Sequence, residues 1–367
     1  MKYLFIDGNN LGIRASFANK DLSVDFMDYS ADFNPDEVGK IGKRLPTGSI
    51  HGFFRSLKSV RLSFPDRYIC VVWDGKSKAR ILESREAVAK GIVPQGYKEN
   101  RPKTNKSDAY VDFHVQKPII MEALSLTNVP QVTKPDEESD DVIASFVSAL
   151  PSDDIVILTN DKDYYQLIRP GVKILDASGS LLDEEWFKKG FGISPPQWVD
   201  VGALQGDSGD NIFGIPWVGE GTAIKEIAKY GTCEAVLASY ESEYSGLRAT
   251  YPDVSGQEFA ELKTFATANK NQKFPHIKEW MPYTGVALAY EKGKVKIPRS
   301  VVMTLVYQSR IPLAKNLKAM RTRIPLPKLP VDLGREKTSE FVRLCEKYSL
   351  TSTALSASIL CSRQVTD

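Results

Sequence analysis

The sequence predicts an α/β fold, with a mostly parallel central sheet and helices on both faces. Short continuous apolar runs rich in β-branched and aromatic residues recur along the first half of the chain, each ends in an acid, and stretches with helical spacing lie between them. Such runs suit strands covered on both faces, and strands alternating with helices make a doubly wound sheet. In chain order, Tyr3-Leu4-Phe5-Ile6 leads into Asp7-Gly8-Asn9-Asn10, the run from Tyr68 to Trp73 leads into Asp74-Gly75, and Ile155-Val156-Ile157-Leu158-Thr159 leads into Asn160-Asp161-Lys162-Asp163. Helical spacing appears in 48–62 (Ile50, Phe53, Phe54, Leu57, Val60), in 111–126 and in 140–150 (Val142, Ile143, Phe146, Val147, Leu150). Open parallel sheets build their sites beyond the carboxyl ends of the strands, and Asp7, Asp74 and Asp161 all fall there.

The remaining segments are less regular. Residues 19–43 read as a polar insertion, and 90–107, rich in Gly, Pro, Lys and Asn, as a mobile loop or arch. Short helices joined by glycine turns occupy 199–230. Beyond Tyr240 there is weak helical periodicity and a basic, Pro-rich segment (324–330), with no motif.

With 367 residues, 42% hydrophobic and 26% charged, the chain has the composition of a globular protein of about two domains. No stretch is long and apolar enough for a bilayer, and the first apolar run meets Asp7 too soon for a signal peptide. Cys70, Cys233, Cys345 and Cys361 have no short spacing, so neither a disulfide framework nor a zinc site is indicated, and a cytoplasmic setting is expected. Net charge is only +2, but basic residues gather between Lys76 and Lys106 and again between Lys292 and Lys337. Acidic points with basic flanks suit metal at the points and phosphate on the flanks.

Glu137-Glu138-Ser139-Asp140-Asp141 opens the helix at 140–150. The helix dipole favours acids in a first turn by about 0.3–1 kcal/mol each, which accounts for one or two; four in five positions repel one another and call for a cation. Glu138 and Asp141, three apart, share a helix face. Asp161 and Asp163 bracket Lys162, and Asp207 and Asp210 lie in Gly206-Asp207-Ser208-Gly209-Asp210-Asn211. The three histidines (His51, His114, His276) are scattered, so the ligands are oxygen alone, which selects Mg²⁺ or Mn²⁺ over zinc. Such a set can hold two ions about 3.5–4 Å apart for phosphodiester displacement.

These segments, with Tyr97-Lys98-Glu99-Asn100-Arg101, stand in the order found in the flap endonucleases and 5′-nucleases, and over residues 1–230 the chain resembles that family, which includes stand-alone bacteriophage enzymes and the nuclease domain of some bacterial DNA polymerases. The resemblance implies a first metal cluster of Asp7, Asp74, Glu138, Asp140 and Asp141 and a second completed by Asp161, Asp163, Asp207 and Asp210. It implies that Lys98 and Arg101, at the base of a helical arch, steady charge on the scissile phosphate, that Arg80 holds a neighbouring phosphate, and that Tyr97 stacks on the terminal base. The run from Gly214 through Gly219 and Gly221 resembles the family's helix–turn–helix hairpin that grips duplex backbone and often holds K⁺; glycines let backbone N–H groups approach phosphate at a helix N-terminus. Two positions depart from the pattern: Trp217 stands where glycine is usual, and Gly221 where lysine is common, with Lys225 supplying a charge one turn on.

The expected organisation is a nuclease core over 1–195 with an insertion (19–43) and an arch (about 80–115), a helix–hairpin–helix region over 196–240, and an extension of unassigned role over 241–367. The expected partner is DNA with a 5′ flap or 5′ end, or an RNA primer, cut by a monomer without a membrane. Competing readings are a catalytically silent nucleic-acid-binding module, a Mg²⁺ phosphatase, for which Asp7-Gly8-Asn9 lacks the nucleophilic DxD, and a PIN-type ribonuclease, with fewer acids and no hairpin.

Overall fold

The computed structural model describes residues 1–25, 44–101, 107–243, 299–330, 337–362 and 364. Most of the expected insertion, residues 102–106 of the expected arch, and 244–298 lie outside the described residues.

Among them, six strands form one sheet, in the order β5-β4-β1-β6-β7-β8. The three apolar runs become its centre: β1 (Lys2–Asp7) pairs in parallel with β4 (Tyr68–Trp73) on one side and β6 (Asp154–Leu158) on the other. Parallel β5 (Gln131–Thr133) and β7 (Val172–Leu175) extend it, and β8 (Leu181–Leu182) adds an antiparallel edge. A separate ribbon pairs β2 (Ser23–Asp25) with β3 (Arg44–Pro46).

Successive strand residues point to opposite faces, which divides the core in two. Phe5, Cys70, Val72, Ile155 and Ile157 join one cluster, while Leu4, Ile6, Ile69, Val71, Val156 and Leu158 join the other. The second face is covered by α1 (Gly8–Ala18), α2 (Gly48–Ser63) and α4 (Asp108–Leu124), which follows α3 (Lys78–Ala89) in the chain. The first is covered by α5 (Ser139–Ala149), α7 (Trp198–Gln205), α8 (Glu220–Tyr230) and α9 (Cys233–Glu243), with α6 (Glu184–Phe191) adding Phe187. The helices expected at 48–62, 111–126 and 140–150 are α2, α4 and α5, each with bounds shifted by a few residues at most.

The C-terminal third supplies core to both faces. Helices α10 (Arg299–Val306) and α11 (Arg310–Lys318) bring Val301, Met303, Leu305, Ile311, Ala314 and Leu317 into the first cluster. Helix α12 (Thr338–Lys347) and the turns after it bring Phe341, Leu344 and Leu360 into the second. Buried Arg61 of α2 fastens that end, donating to the carbonyls of Ser362 (2.8 Å) and Thr127 (2.7 Å). No helix among the described residues is long and apolar enough to cross a membrane.

Candidate active site

Parallel pairing aligns the carboxyl ends of β1, β4, β5 and β6 along one edge, and the acids sit where each strand hands over to a helix. Asp7 caps α1, accepting from the Asn10 backbone N–H at 3.1 Å. Asp161 caps a 3-10 turn (Lys162–Leu167), accepting from the Asp163 N–H at 2.8 Å. Glu138 is the residue before the first turn of α5. Gly75 lets the chain after β4 pass against that turn: a Cβ there would lie 2.1 Å from the Lys134 carbonyl oxygen.

Hydrogen bonds tie these acids into one site. Ser139 donates its hydroxyl to Asp74 (2.5 Å) and lies 3.3 Å from Asp7, while the Tyr164 hydroxyl reaches Asp7 at 3.2 Å. Glu138 receives Lys98 Nζ (2.6 Å), the Arg80 guanidinium (2.7 Å) and the Tyr97 hydroxyl (2.7 Å). Asp210 receives Arg101 (2.6 Å) and Tyr97 (3.1 Å), and Arg80 also reaches Asp141 (2.7 Å). The Gly206–Asn211 loop is locked to the segment bearing Lys98: the Lys98 N–H donates to the Asp210 carbonyl (2.8 Å), and Asn211 donates to that of Gly96 (2.7 Å). Lys98 takes φ +57°, a left-handed conformation that turns its side chain back toward Glu138.

The electrostatics differ across the site. Burial first, and then Asp74, push the Asp7 carboxyl well above the usual carboxylate range. Asp210 goes the other way: burial opposes its charge, but Lys98 and Arg101 outweigh it and hold it low. Burial likewise opposes the charge on Lys98, and Glu138 and Asp210 keep the ammonium above the ordinary lysine value.

Two of the residues that the resemblance assigned to substrate are enclosed against the acids. Arg80, expected on a phosphate, is 3% exposed and turned inward onto Glu138 and Asp141. A side chain of α3 facing α5 is enclosed between them, and its charge is spent on the acids. Tyr97, expected to stack on a base, is 5% exposed, with Lys98 Nζ 4.8 Å from its ring centroid and its hydroxyl spent on Glu138 and Asp210. It supports the cluster from below. Lys98 and Arg101 do converge on the acids.

The glycine hairpin divides as well. Gly214 is a packing glycine, since a Cβ would lie 2.2 Å from the Gly206 nitrogen, whereas added Cβ atoms at Gly219 and Gly221 would meet open space. Gly219 caps α8, and Gly221 and Lys225 lie exposed along its first turns. Trp217 is 40% exposed and holds φ +63° at the hairpin tip. Lys162 bonds Glu220 at 2.8 Å, fixing the hairpin to the turn after Asp161.

Sequence reasoning missed Ser139, Tyr164 and Lys318. Ser139 lies between two acids and Tyr164 follows Asp163, and that proximity was the available signal. Lys318 comes from the motif-free C-terminal third, yet its Nζ lies 2.5 Å from Asp163 and 3.1 Å from Asp207. The donors fit hard divalent ions: among the described residues they are carboxylate oxygens without sulfur or imidazole, and Asp141 Oδ2 is buried with no hydrogen-bond partner there. Asp200, Cys233 and Glu234 also come together, but Lys315 neutralises both acids at 2.8 Å, as an ordinary ion pair does.

An α/β sheet with an oxygen-only acidic cluster at its strand ends, walled by cations, defines the class of metal-dependent phosphodiesterases. Residues 2–192 match the 5′-3′ exonuclease N-terminal resolvase-like domain, and 193–274 the 5′-3′ exonuclease C-terminal SAM fold. The chain belongs to the 5′-3′ exonuclease family. It is 33% identical over 245 residues to the 5′-3′ exonuclease of Aquifex aeolicus, covering 66% of this chain and 74% of that one. It is 30% identical over 242 residues to the thermostable DNA polymerase I of Thermus thermophilus, covering 65% of this chain but only 25% of the polymerase. In fold it is similar to the T5 D15 protein co-crystallised with metal ions (TM-score 0.52, 15% identity, 99% of this chain and 100% of that one). The catalytic core of Rad2 in complex with DNA is similar too (TM-score 0.50, 15% identity, 98% and 93%).

Proposed function

We propose that the chain is a structure-specific 5′-nuclease that hydrolyses DNA phosphodiesters near a free 5′ end or flap, in replication or repair, with two Mg²⁺ or Mn²⁺ ions. The observation that carries this reading is the convergence of carboxylates from four strand ends with Lys98 and Arg101 in one place. Family membership supports the reaction class, and the DNA-bound Rad2 core and the polymerase relatives support the substrate.

The roles follow from position. Asp7, Asp74, Glu138, Asp140 and Asp141 would hold one ion, and Asp161, Asp163, Asp207 and Asp210 the other. Bound there, the ions supply a water of lowered pKa and neutralise charge on the leaving oxygen. Lys98 and Arg101 face the same space with charges fixed in advance, where they stabilise the phosphate as negative charge builds on it. Tyr97 and Arg80 position that wall: Tyr97 spans Glu138 and Asp210, and Arg80 holds Glu138 and Asp141. Gly219, Gly221 and Lys225, at an open helix N-terminus, suit a duplex phosphate, and K⁺ at the hairpin belongs to the same proposal. Monomeric action inside the cell, on DNA or an RNA primer, completes it.

The test is cleavage of a 5′-labelled flap duplex with Mg²⁺, with EDTA, and with Asp74→Asn. Cutting near the junction only with Mg²⁺ and only by the unsubstituted protein is expected. Tight binding without cutting would replace this reading with that of a binding module.

A further inference from the structure

Helix α11 carries two lysines one turn apart, and each is set between two carboxylates. Lys315 joins Asp200 and Glu234 away from the acidic site. Lys318 joins Asp163 and Asp207 inside it, with a side chain only 7% exposed. Its stem lies over Gly202, where a Cβ would sit 2.9 Å from Lys318 Cε, so the missing side chain leaves the groove that the lysine fills. The backbone behind it is clamped by Gln166, which donates to the Lys318 carbonyl (3.1 Å) and accepts from the Met320 N–H (2.9 Å). Three residues on, the Arg321 N–H donates to Asp141 at 2.8 Å. This segment lies beyond the residues that match the family's two domains, which end at 274, yet it binds carboxylates of both clusters.

An ammonium and a divalent ion compete for the same two carboxylates, because cations held within hydrogen-bond range repel one another and draw on the same lone pairs. We propose that Lys318 is a built-in competitor for the second divalent ion, holding Asp163 and Asp207 in the metal-free enzyme and leaving when that ion binds. The inference rests on the nuclease reading of the acidic site. It makes the second ion bind more weakly than it would with the lysine removed, because part of its binding energy goes to releasing the lysine and loosening residues 316–324. The C-terminal third then reports, through its docking, whether the second ion is in place.

The test is equilibrium binding of Mn²⁺ to the full chain without DNA, for the unsubstituted protein, Lys318→Met and Lys315→Met, each checked for folding by thermal melting. In Lys318→Met the second ion should bind about tenfold more tightly, with the first changed by less than about twofold. Lys315→Met should bind both as the unsubstituted protein does. An equal gain in both variants would mean that loosening the helix, and not the lysine's charge, is responsible, and would overturn the proposal. So would unchanged or weaker second-ion binding in Lys318→Met. Hydrogen exchange on the unsubstituted protein gives a second reading that depends on no variant: amides of 316–324 should exchange faster as the second equivalent of Mn²⁺ is added, and constant protection would overturn the inference. Two ions bound without regard to Lys318 sinks the inference alone, whereas no Mn²⁺ bound at all sinks the nuclease reading with it.

Discussion

Asp7 and Asp210 belong to one site, yet the protein treats their charges in opposite ways. Asp7, with Asp74 beside it, is met by neutral donors: the Ser139 and Tyr164 hydroxyls and a backbone N–H. The nearby Lys117 is bonded to Asn9 instead. Asp210 and Glu138 are met by Lys98, Arg101 and Arg80. The first carboxyl is accordingly pushed up and Asp210 is held down. Among the described residues, therefore, no cation is bonded in the first corner, whereas the opposite wall carries several. A buried anion pair without compensation is costly, and an external divalent ion relieves more of that cost in the first corner than at the wall. The wall instead offers prearranged positive charge to whatever anion approaches.

The largest effect should come from removing charge where no described cation is bonded to the acid. Asp74→Asn should lower single-turnover cleavage by more than about 1,000-fold while leaving flap binding within a few-fold; substantial residual cutting would break the contrast between the two corners. Asp161→Asn, at the far side of the same space, should behave alike. On the cationic wall, Lys98→Ala should slow the chemical step about 100- to 1,000-fold, the scale for one preorganised donor to developing charge. A loss confined to affinity, with the single-turnover rate intact, would make Lys98 a docking residue.

Arg80→Met should act on stability. It takes the paired guanidinium from buried Asp141 and leaves Glu138 paired with Lys98, at a cost of about 3–5 kcal/mol, read as a lower unfolding midpoint in denaturant without metal. A neutral result would mean that the enclosure of Arg80 carries little energy. The smallest effect is in pH. A carboxyl raised in the folded state binds its proton more readily folded than unfolded, so Asp7 adds stability below its unfolded value of about 4 and loses it as pH climbs through the raised one. Asp210, shifted down, acts in the opposite sense only at lower pH. Asp141 and Asp161, pushed up to about 7 by burial and then by neighbouring acids, act in the same sense as Asp7. In EDTA, melting temperature should therefore fall as pH climbs from about 4 to about 7, and saturating Mg²⁺ should cancel the fall; a rise would show that the paired wall dominates.

Much of this was legible in the chain itself, because local patterns carry it. The central strands β1, β4 and β6 announce themselves as continuous apolar runs, and the acids after them fall at strand ends by the same reading. The edge strand β5 was not visible: three residues, Gln131-Val132-Thr133, give no periodicity to detect, yet this strand delivers Glu138. The enclosure of Arg80 and Tyr97 was not visible for a related reason. A basic or aromatic residue in a basic stretch looks available to substrate until packing shows which way it faces.

The sequence by itself determined the three central strands, the acidic set, and the neighbourhood of Lys98 and Arg101, since hydrophobic period and short-range motifs are properties of contiguous residues. Only the tertiary structure decided how charge is balanced among those acids. That depends on which cations arrive from distant segments: Arg80 from α3, 58 residues before Glu138, and Lys318 from α11, 155 residues after Asp163. No local rule links residues so far apart. Their meeting is fixed by the packing of α3 and α11 around the strand ends, where burying a carboxylate requires a partner.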